Sequence, residues 1–558
     1  MERTINDVLR SATSDYLSDL DTSGGLNTIS IEAELLDKVR RIFEMENALK
    51  EKTRRWKIPK TLSFAQIADI MATLYPICRI SCAGENANPD LDLLAIYQIT
   101  GTDEGVYVTS EDAFRELARQ FNYNMTTKDF LEVMIAIRKN VPRKMRCLNP
   151  DLIAVNNGLF NYQTKELQPF TPDLVFFTKS HVNYNALARN NVIHKPEDNI
   201  DWDVEDWMSS LSDDPEIVNL LWEILGAIIR PNVSWDKSAW LYSEQGNNGK
   251  GTLCELMRQL CGAGAYASIP ISDFSKDFAL EPLTRATAII VDENDVGSFI
   301  DRAANLKAII TNDVIAINRK FKSVLAYQFY GFMVQCLNEF PRIKDKSDSF
   351  YRRQLFVPMT KCFTGIERKY IKSDYLHRSD VLEYVMYRVL NMDYYALSEP
   401  VACREVLNRY KEFNDPIREF FEELSPEFVW DLLPFPFLYD AYLSWFKRNS
   451  PSGSPQGRNT FIKDIAAIAK DSNEWYCKNT TAKIRSNNRM DKPEPIIATY
   501  CLQDWQNNHY KGPDINQISM PSNIAISYRG LQRYLPGQNT GKYNDDDDTT
   551  STSPIKPL

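Results

Sequence analysis

A chain of 558 residues that is 43% hydrophobic and 25% charged can build several cores, and its length predicts three or four globular domains. No stretch approaches the roughly 20 uninterrupted apolar residues of a membrane span. The opening MERTINDVLRSATSDYLSDL carries acids where a secretion signal has a basic end and an apolar run, so no membrane association and a cytoplasmic location are expected. A net charge of −10 excludes a surface coated with basic residues for indiscriminate polyanion binding, and any such contact must be confined to a channel or a small patch.

The ten cysteines are scattered, the closest pair being Cys78 and Cys82, and there are only four histidines. That pattern lacks the two close ligand pairs of a zinc ribbon and predicts buried, reduced thiols.

Residues 1–92 read as an N-terminal helical region. From about Ile29 to Lys50, Ile31, Leu35, Leu36, Val39, Ile42, Phe43 and Leu49 form an amphipathic stripe. Residues 93–236 read as an α+β domain. LLAIYQITG and GVYVTS are strand-like, and EDAFRELARQF is helical. PDLIAVNNGLFNYQTKELQPF predicts a β-rich unit with a turn at Asn156-Asn157-Gly158, and VEDWMSSL and EIVNLLWEILGAII are helices. Between 237 and 365, short and nearly continuous apolar runs alternate with helices, the pattern of buried parallel strands in an α/β core. Residues 366–415 read as a helical linker or lid. Residues 416–535 mix helices and short strands as a small winged-helix-like domain does, and 536–558, with NDDDDTTSTSPIKPL, as a disordered acidic tail.

The chemistry concentrates in residues 237–365. AWLYSEQGNNGKGTLCELMRQLCG reads as strand, glycine-containing loop and helix, ending at Gly262. A nucleoside triphosphate needs curled backbone N–H groups, a helix N-terminus and a lysine for its terminal phosphates, which Gly246, Asn247, Asn248, Gly249, Lys250 and Gly251 supply together. The match to G-x-x-x-x-G-K-[ST] is imperfect: Glu244 stands at the first glycine and Gly251 at the metal-binding hydroxyl, so Thr252 is expected to take over that ligand role. An ordinary Asn-Gly turn is the alternative reading of this loop.

Downstream, ATAIIVDEND is an apolar strand ending in Asp292 and Glu293. At the carboxyl end of a parallel strand such a pair can face the loop, Asp292 toward Mg²⁺ and Glu293 toward an attacking water. Acid pairs also start loops by chance. In GFMVQCLNEFPRI, Asn338 follows a third apolar run, where an amide can hold the water or sense the γ-phosphate. Arg352 and Arg353 in SFYRRQLFVPM are candidates for a guanidinium donated to a neighbouring subunit's γ-phosphate, or else surface salt-bridge residues. Arg319, Lys320 and Lys322, with Phe321 among them, form a basic cluster with an aromatic, suited to nucleic-acid phosphates or, alternatively, a solvated loop.

The ordered series GNNGKGT, IIVDEND, ITNDVIAINRKFK and LNEFPRIKDKSDSFYRRQLFVPM resembles the four motifs of superfamily 3 helicases, most of all the helicase parts of phage, plasmid and poxvirus primase-helicases. The resemblance covers roughly residues 150–365, and the region after 416 more weakly. It implies an AAA+-like P-loop motor, an ATP-hydrolysing 3′-to-5′ DNA helicase with Mg²⁺, serving the replication of a phage, plasmid or other mobile element in a bacterial cytoplasm. It also implies a homo-hexameric ring with ATP between neighbours, single-stranded or forked DNA in the pore, and a primase or polymerase as a further partner. By motif match, Lys250 and Thr252 meet phosphates and metal, Asp292 and Glu293 serve metal and water, Asn338 is the sensor, Arg352 or Arg353 is the finger acting in trans, and Arg319, Lys320 and Lys322 lie on the pore hairpin. Two alternatives stand beside it. One is a primase-helicase with a divergent N-terminal primase, against which the D-x-D pairs Asp90/Asp92 and Asp201/Asp203 lack a leading apolar strand. The other is a non-motor, nucleotide-gated DNA-binding protein, which Gly251 favours.

Overall fold

The computed structural model describes residues 3–20, 27–196, 199–295, 297, 299–300, 302–320, 322–449 and 455–534. The expected acidic tail at 536–558 and Phe321 lie outside the described residues. The chain separates into two compact units, 1–408 and 409–558, and it is a multidomain α/β protein with a parallel sheet flanked by mixed α+β regions. No described helix is long and apolar enough to cross a membrane.

Within the first unit the N-terminal helices Ile5–Asp19, Thr28–Ala48 and Phe64–Leu74 pack with Glu111–Arg119 and Thr127–Asn140. Thr4, Ser63 and Thr126 each close a capping box, satisfying N–H groups that the first helical turn leaves without partners. The predicted stripe is present. Ile31, Leu35, Val39 and Phe43 are buried, each worth about 1.5–3 kcal/mol of transfer free energy, while Leu49 lies beyond the helix end and is exposed. These helices cover a four-stranded sheet in the order Tyr107–Val108, Leu93–Tyr97, Ile77–Ser81, Arg143–Met145, antiparallel except for the last pair. One hydrophobic core therefore runs from Val8 to Val141, and a second from Ile153 to Cys403. A boundary at 92/93 divides the chain differently from this packing, because the strands after 92 complete the sheet that the first helices bury.

The second core is built on five strands: β1 (Ser238–Tyr242), β2 (Tyr266–Ala267), β3 (Ala288–Val291), β4 (Phe332–Leu337) and β5 (Gln354–Pro358). All neighbours are parallel, in the order β2-β3-β4-β1-β5. Every residue of β1, β3 and β4 is buried, as their nearly unbroken apolar character requires of a sheet covered on both faces. Helix α1 (Lys250–Cys261) follows β1 and buries Leu253, Leu256, Met257 and Leu260. The hairpin Leu152–Val155/Gly158–Asn161 turns at the expected Asn-Asn-Gly, and Pro215–Ile229 is the apolar helix anticipated before the sheet.

Arg230, at the C-cap of that helix, is fully buried. Its guanidinium lies 3.5 Å from the Tyr162 ring centroid and 5.0–5.3 Å from those of Trp235, Tyr394 and Tyr395, and Nη1 donates to the Tyr394 carbonyl at 2.8 Å. Of the ten thiols, six are buried as expected, but Cys362 and Cys501 are exposed and Cys147 and Cys477 are half-buried.

The second unit has its own aromatic-rich core, including Phe420, Trp430, Phe437, Tyr442, Trp475 and Trp505. Its elements include helix Pro416–Leu424, helices Phe435–Asn449 and Arg458–Asp471, a two-stranded sheet of Ile484–Arg485 with Ser527–Tyr528, and a three-stranded sheet of Leu432–Pro434, Trp475–Tyr476 and Gly530–Arg533. The last strand lies between the other two, antiparallel to both.

Candidate active site

The candidate site forms where the carboxyl ends of β1, β3 and β4 meet, the edge at which an open parallel sheet collects ligands. Register explains the convergence: Tyr242 pairs with Leu337 and Val291 with Gln335, so Ser243, Asn338 and Asp292, each just past its strand, share one rim. β4 lies between β1 and β3, which puts Asn338 between the loop and the acids.

The loop from Ser243 to Gly249 is held by backbone conformations that few residues adopt. Gly249, the N-cap of α1, has φ +83°, and a Cβ there would lie 2.8 Å from Cδ2 of Leu211; Asn247 has φ +56°, a region Asn tolerates. Asn248 is buried and donates to the Gln245 carbonyl at 2.6 Å, curling the loop on itself. Gly246 has open space where a side chain would be, and Glu244, at the expected first glycine, accepts from the Tyr242 hydroxyl at 2.9 Å. Gly249 has no side chain to cap α1; of the first-turn N–H groups, Lys250 N donates to Asn248 Oδ1 at 3.4 Å and Thr252 N to the Gly249 carbonyl at 3.1 Å.

Lys250 is 6% exposed and spans the gap between strands. Its Nζ donates to Asn338 Oδ1 at 2.7 Å, to the Leu337 carbonyl at 3.0 Å and to the Ser243 carbonyl at 3.4 Å. Burial lowers its pKa from the usual lysine value. Asp292 is gripped by Arg258, with Nη2 2.8 Å from Oδ1 and Nη1 3.2 Å from Oδ2. Burial works to raise the Asp292 pKa, but the hydrogen bond and charge of Arg258, with the charge of Lys372, outweigh it and hold the carboxyl below its ordinary value. Glu293 is exposed at the same rim. Arg258 stands two helical turns after Lys250 on α1, and that i, i+4, i+8 face with Cys254 is the signal from which its role could have been read. Asn294 is structural: it accepts from Ile271 N at 2.9 Å and donates to Gln335 Oε1 and the Cys336 carbonyl, both at 3.0 Å, tying the acidic loop to β4.

A cavity of about 890 Å³ opens beside the loop. It is lined by Gly249 and Thr252, by Trp207 and Leu211 from the preceding helical segment, and by Phe363 and Lys372 from the chain after β5. That later segment crosses the loop, with Phe363 N donating to the Asn247 carbonyl at 2.7 Å and Asn247 Nδ2 to Glu367 Oε1 at 2.6 Å. The apolar wall and the strap come from stretches far apart in sequence.

The remaining candidates lie elsewhere. Arg352 and Arg353 precede β5, whose Gln354 pairs with Ser238 at the start of β1, so both are at the opposite end of the sheet from Lys250. Arg353 is half-buried and bonded to the Ser349 carbonyl and, at 3.0 Å, to its hydroxyl, whereas Arg352 is exposed. Arg319, Lys320 and Lys322 sit at the tip of an antiparallel hairpin, Val314–Ile317 with Leu325–Gln328. Arg319 donates to the Ser323 carbonyl at 3.3 and 3.0 Å, and Lys322 pairs with Glu111 at 2.8 Å. Three of the four D-x-D aspartates are engaged in structure. Asp92 holds Arg143 at 2.8 Å, Asp201 holds His194 at 2.7 Å, and Asp203 caps the helix Val204–Ser209.

Residues 241–353 match a family model described as a family of unknown function, DUF5906, and residues 412–507 match one described as Poxvirus D5 protein-like. Part of the second unit thus resembles poxvirus D5. Among solved structures, the A form apo structure of NrS-1 C terminal region-CTR is 13% identical with a TM-score of 0.38, over 78% of this chain and 90% of that one. A second A form apo structure, of NrS-1 C terminal region-CTR(305-718), is 13% identical with a TM-score of 0.40, over 85% and 100%. The apo structure of NrS-1 C terminal region (305-718) is 12% identical with a TM-score of 0.38, over 70% and 95%. No curated protein matches the chain.

Proposed function

We propose that this chain is an ATP-hydrolysing DNA helicase of the superfamily 3 type, a 3′-to-5′ translocase that acts as a homo-oligomeric ring, of six subunits, in the replication of a phage, plasmid or other mobile element. The observation that carries the reading is the meeting of Lys250 with Asn338, 2.7 Å apart, on the rim that also holds Asp292. An AAA+-like phosphate-loop core is supported by the strand order, with β4 inserted between the loop strand and the acidic strand. The poxvirus D5-like match over 412–507 agrees with a replication protein, and the element order of the second unit agrees with a winged helix that would contact duplex DNA during loading.

In this mechanism the triphosphate enters along the cavity, with its terminal phosphates against the loop N–H groups, the start of α1 and Lys250. Lys250 exchanges its bond to Asn338 for a phosphate oxygen, which releases the amide to orient the lytic water. Glu293 accepts a proton from that water as its oxygen attacks the γ-phosphorus and the bond to the β-phosphate oxygen breaks. Thr252 and Asp292 would hold Mg²⁺, Asp292 by giving up one of its two bonds to Arg258, and the ion would supply positive charge to the phosphates when bound. Arg352 is supported over Arg353 as the finger, because it is exposed while Arg353 is tied to Ser349, and its position across the sheet makes a neighbouring subunit's site its target. Arg319, Lys320 and Lys322 would track the backbone of single-stranded DNA.

The test is nucleotide binding and DNA-stimulated hydrolysis by the full chain. Wild type binds ATP and hydrolyses it faster with single-stranded DNA, while Lys250→Ala does neither. Full unwinding by Lys250→Ala removes the assignment.

A further inference from the structure

The loop departs from its motif at Gly251, where a hydroxyl-bearing residue is expected, and the structure places another side chain at that point. A Cβ built on Gly251 would lie 3.8 Å from Nζ of Lys372, the nearest atom to it. We infer that Lys372 is a second phosphate-binding cation of the nucleotide site, compensating in cis for the side chain that position 251 lacks. The inference rests on the nucleotide reading above and names a ligand that the four motifs do not contain.

Three observations converge on it. Lys372 and Thr252 line the same cavity, so a molecule whose phosphates lie at the start of α1 comes within reach of the ammonium. The lysine is carried on the helix Lys369–Ser373, anchored by buried Ile371, and the chain leading to it is strapped to the loop through Phe363 and Asn247, so loop and lysine are positioned together. Its charge also acts on Asp292, helping to hold that carboxyl below its ordinary pKa, while the ammonium itself stays exposed. An exposed ammonium gives up little hydration before it meets a phosphate, and lysine serves there as a compact point charge. A Cβ at 251 would stand in ordinary van der Waals contact with that ammonium, so the two positions face the same point.

The experiment titrates the full-length protein with a fluorescent ATP analogue, with magnesium and with EDTA, and repeats the titration with the AMP counterpart. Lys372→Met should weaken ATP binding about 10- to 100-fold, the size of one charge-assisted hydrogen bond, with an unchanged melting temperature. Lys372→Arg should recover most of that loss. The effect should be larger in EDTA, where no metal shares the phosphate charge, and small for AMP. If Lys372→Met binds ATP within about two-fold of wild type while Lys250→Met has lost binding, the inference is overturned and the nucleotide site stands. If wild type binds no nucleotide, or Lys250→Met binds as wild type does, the nucleotide reading itself fails and this inference with it.

Discussion

Gly249→Ala tests whether the loop geometry is a binding device. At φ +83° the residue sits in the left-handed region, which costs an L side chain about 1–2 kcal/mol. The new Cβ would also lie 2.8 Å from Cδ2 of Leu211, but that atom is the end of a flexible side chain and can swing aside, so the conformational term dominates. The free protein escapes the strain by letting residues 247–249 relax, which withdraws the backbone N–H groups from the phosphate position. Nucleotide must then restore the strained form, and its affinity falls by the conformational cost, about 5- to 30-fold. Calorimetric titration with ATP measures this, and the double variant Gly249→Ala, Leu211→Ala separates the two terms, since it relieves the contact and leaves φ unchanged. An affinity within two-fold of wild type for Gly249→Ala, at unaltered thermal stability, would refute the reasoning.

Arg352→Ala should leave the unfolding free energy within about 0.5 kcal/mol of wild type, yet lower ATPase activity out of proportion to its fraction in mixtures with wild type; strictly linear dilution speaks against a finger in trans. Arg353→Ala should instead lower the melting temperature, because it removes the partly buried bonds to Ser349. The folded Asp292 has a depressed pKa, so its contribution is present above the ordinary value of 3.8 and is lost as pH falls through the lower folded value. With the side chain 40% exposed, solvent screening holds that contribution to about 1 kcal/mol or less, and the stability gap between wild type and Asp292→Asn should close in acid urea titrations. Arg230→Met should destabilise by about 2–4 kcal/mol in denaturant unfolding, since it removes a buried guanidinium that lies within 5.3 Å of four aromatic ring centroids and donates to the Tyr394 carbonyl.

Short-range chemistry was legible in the sequence, and long-range juxtaposition was not. The apolar runs of β1, β3 and β4 are buried strands because nothing polar interrupts them except Gln335, and once the sheet is parallel the residues just beyond each strand must share an edge. That is why Lys250, Asp292 and Asn338 could be named in advance. Arg258 was missed although its helical phase relative to Lys250 is local information. Lys372, Phe363 and Trp207 could not have been found that way, because their approach to the loop depends on how segments distant in sequence fold over α1. The boundary at 92/93 followed a change of texture, whereas Leu94 and Ile96 are buried among the helices of residues 5–74.

The placement of Arg352 bears on why the proposed motor would need partners. Its own Lys250 stands at the carboxyl end of β1, while Arg352 precedes the amino end of the neighbouring β5, so the length of a five-residue strand, roughly 15 Å, separates the two ends of the sheet. Motion of a single side chain does not bridge that distance, and the β1–β5 ladder that fixes it is buried. A monomer could therefore hold nucleotide on Lys250 and lack the guanidinium that neutralises the transition state. Stacked head to tail, each copy would present the Arg352 end of its sheet to the Lys250 end of the next, a heterologous contact that closes into a ring when the rotation between copies is suitable. Hydrolysis would then report assembly, rising with protein concentration more steeply than in proportion, and a specific activity independent of concentration down to the nanomolar range would disconnect Arg352 from catalysis.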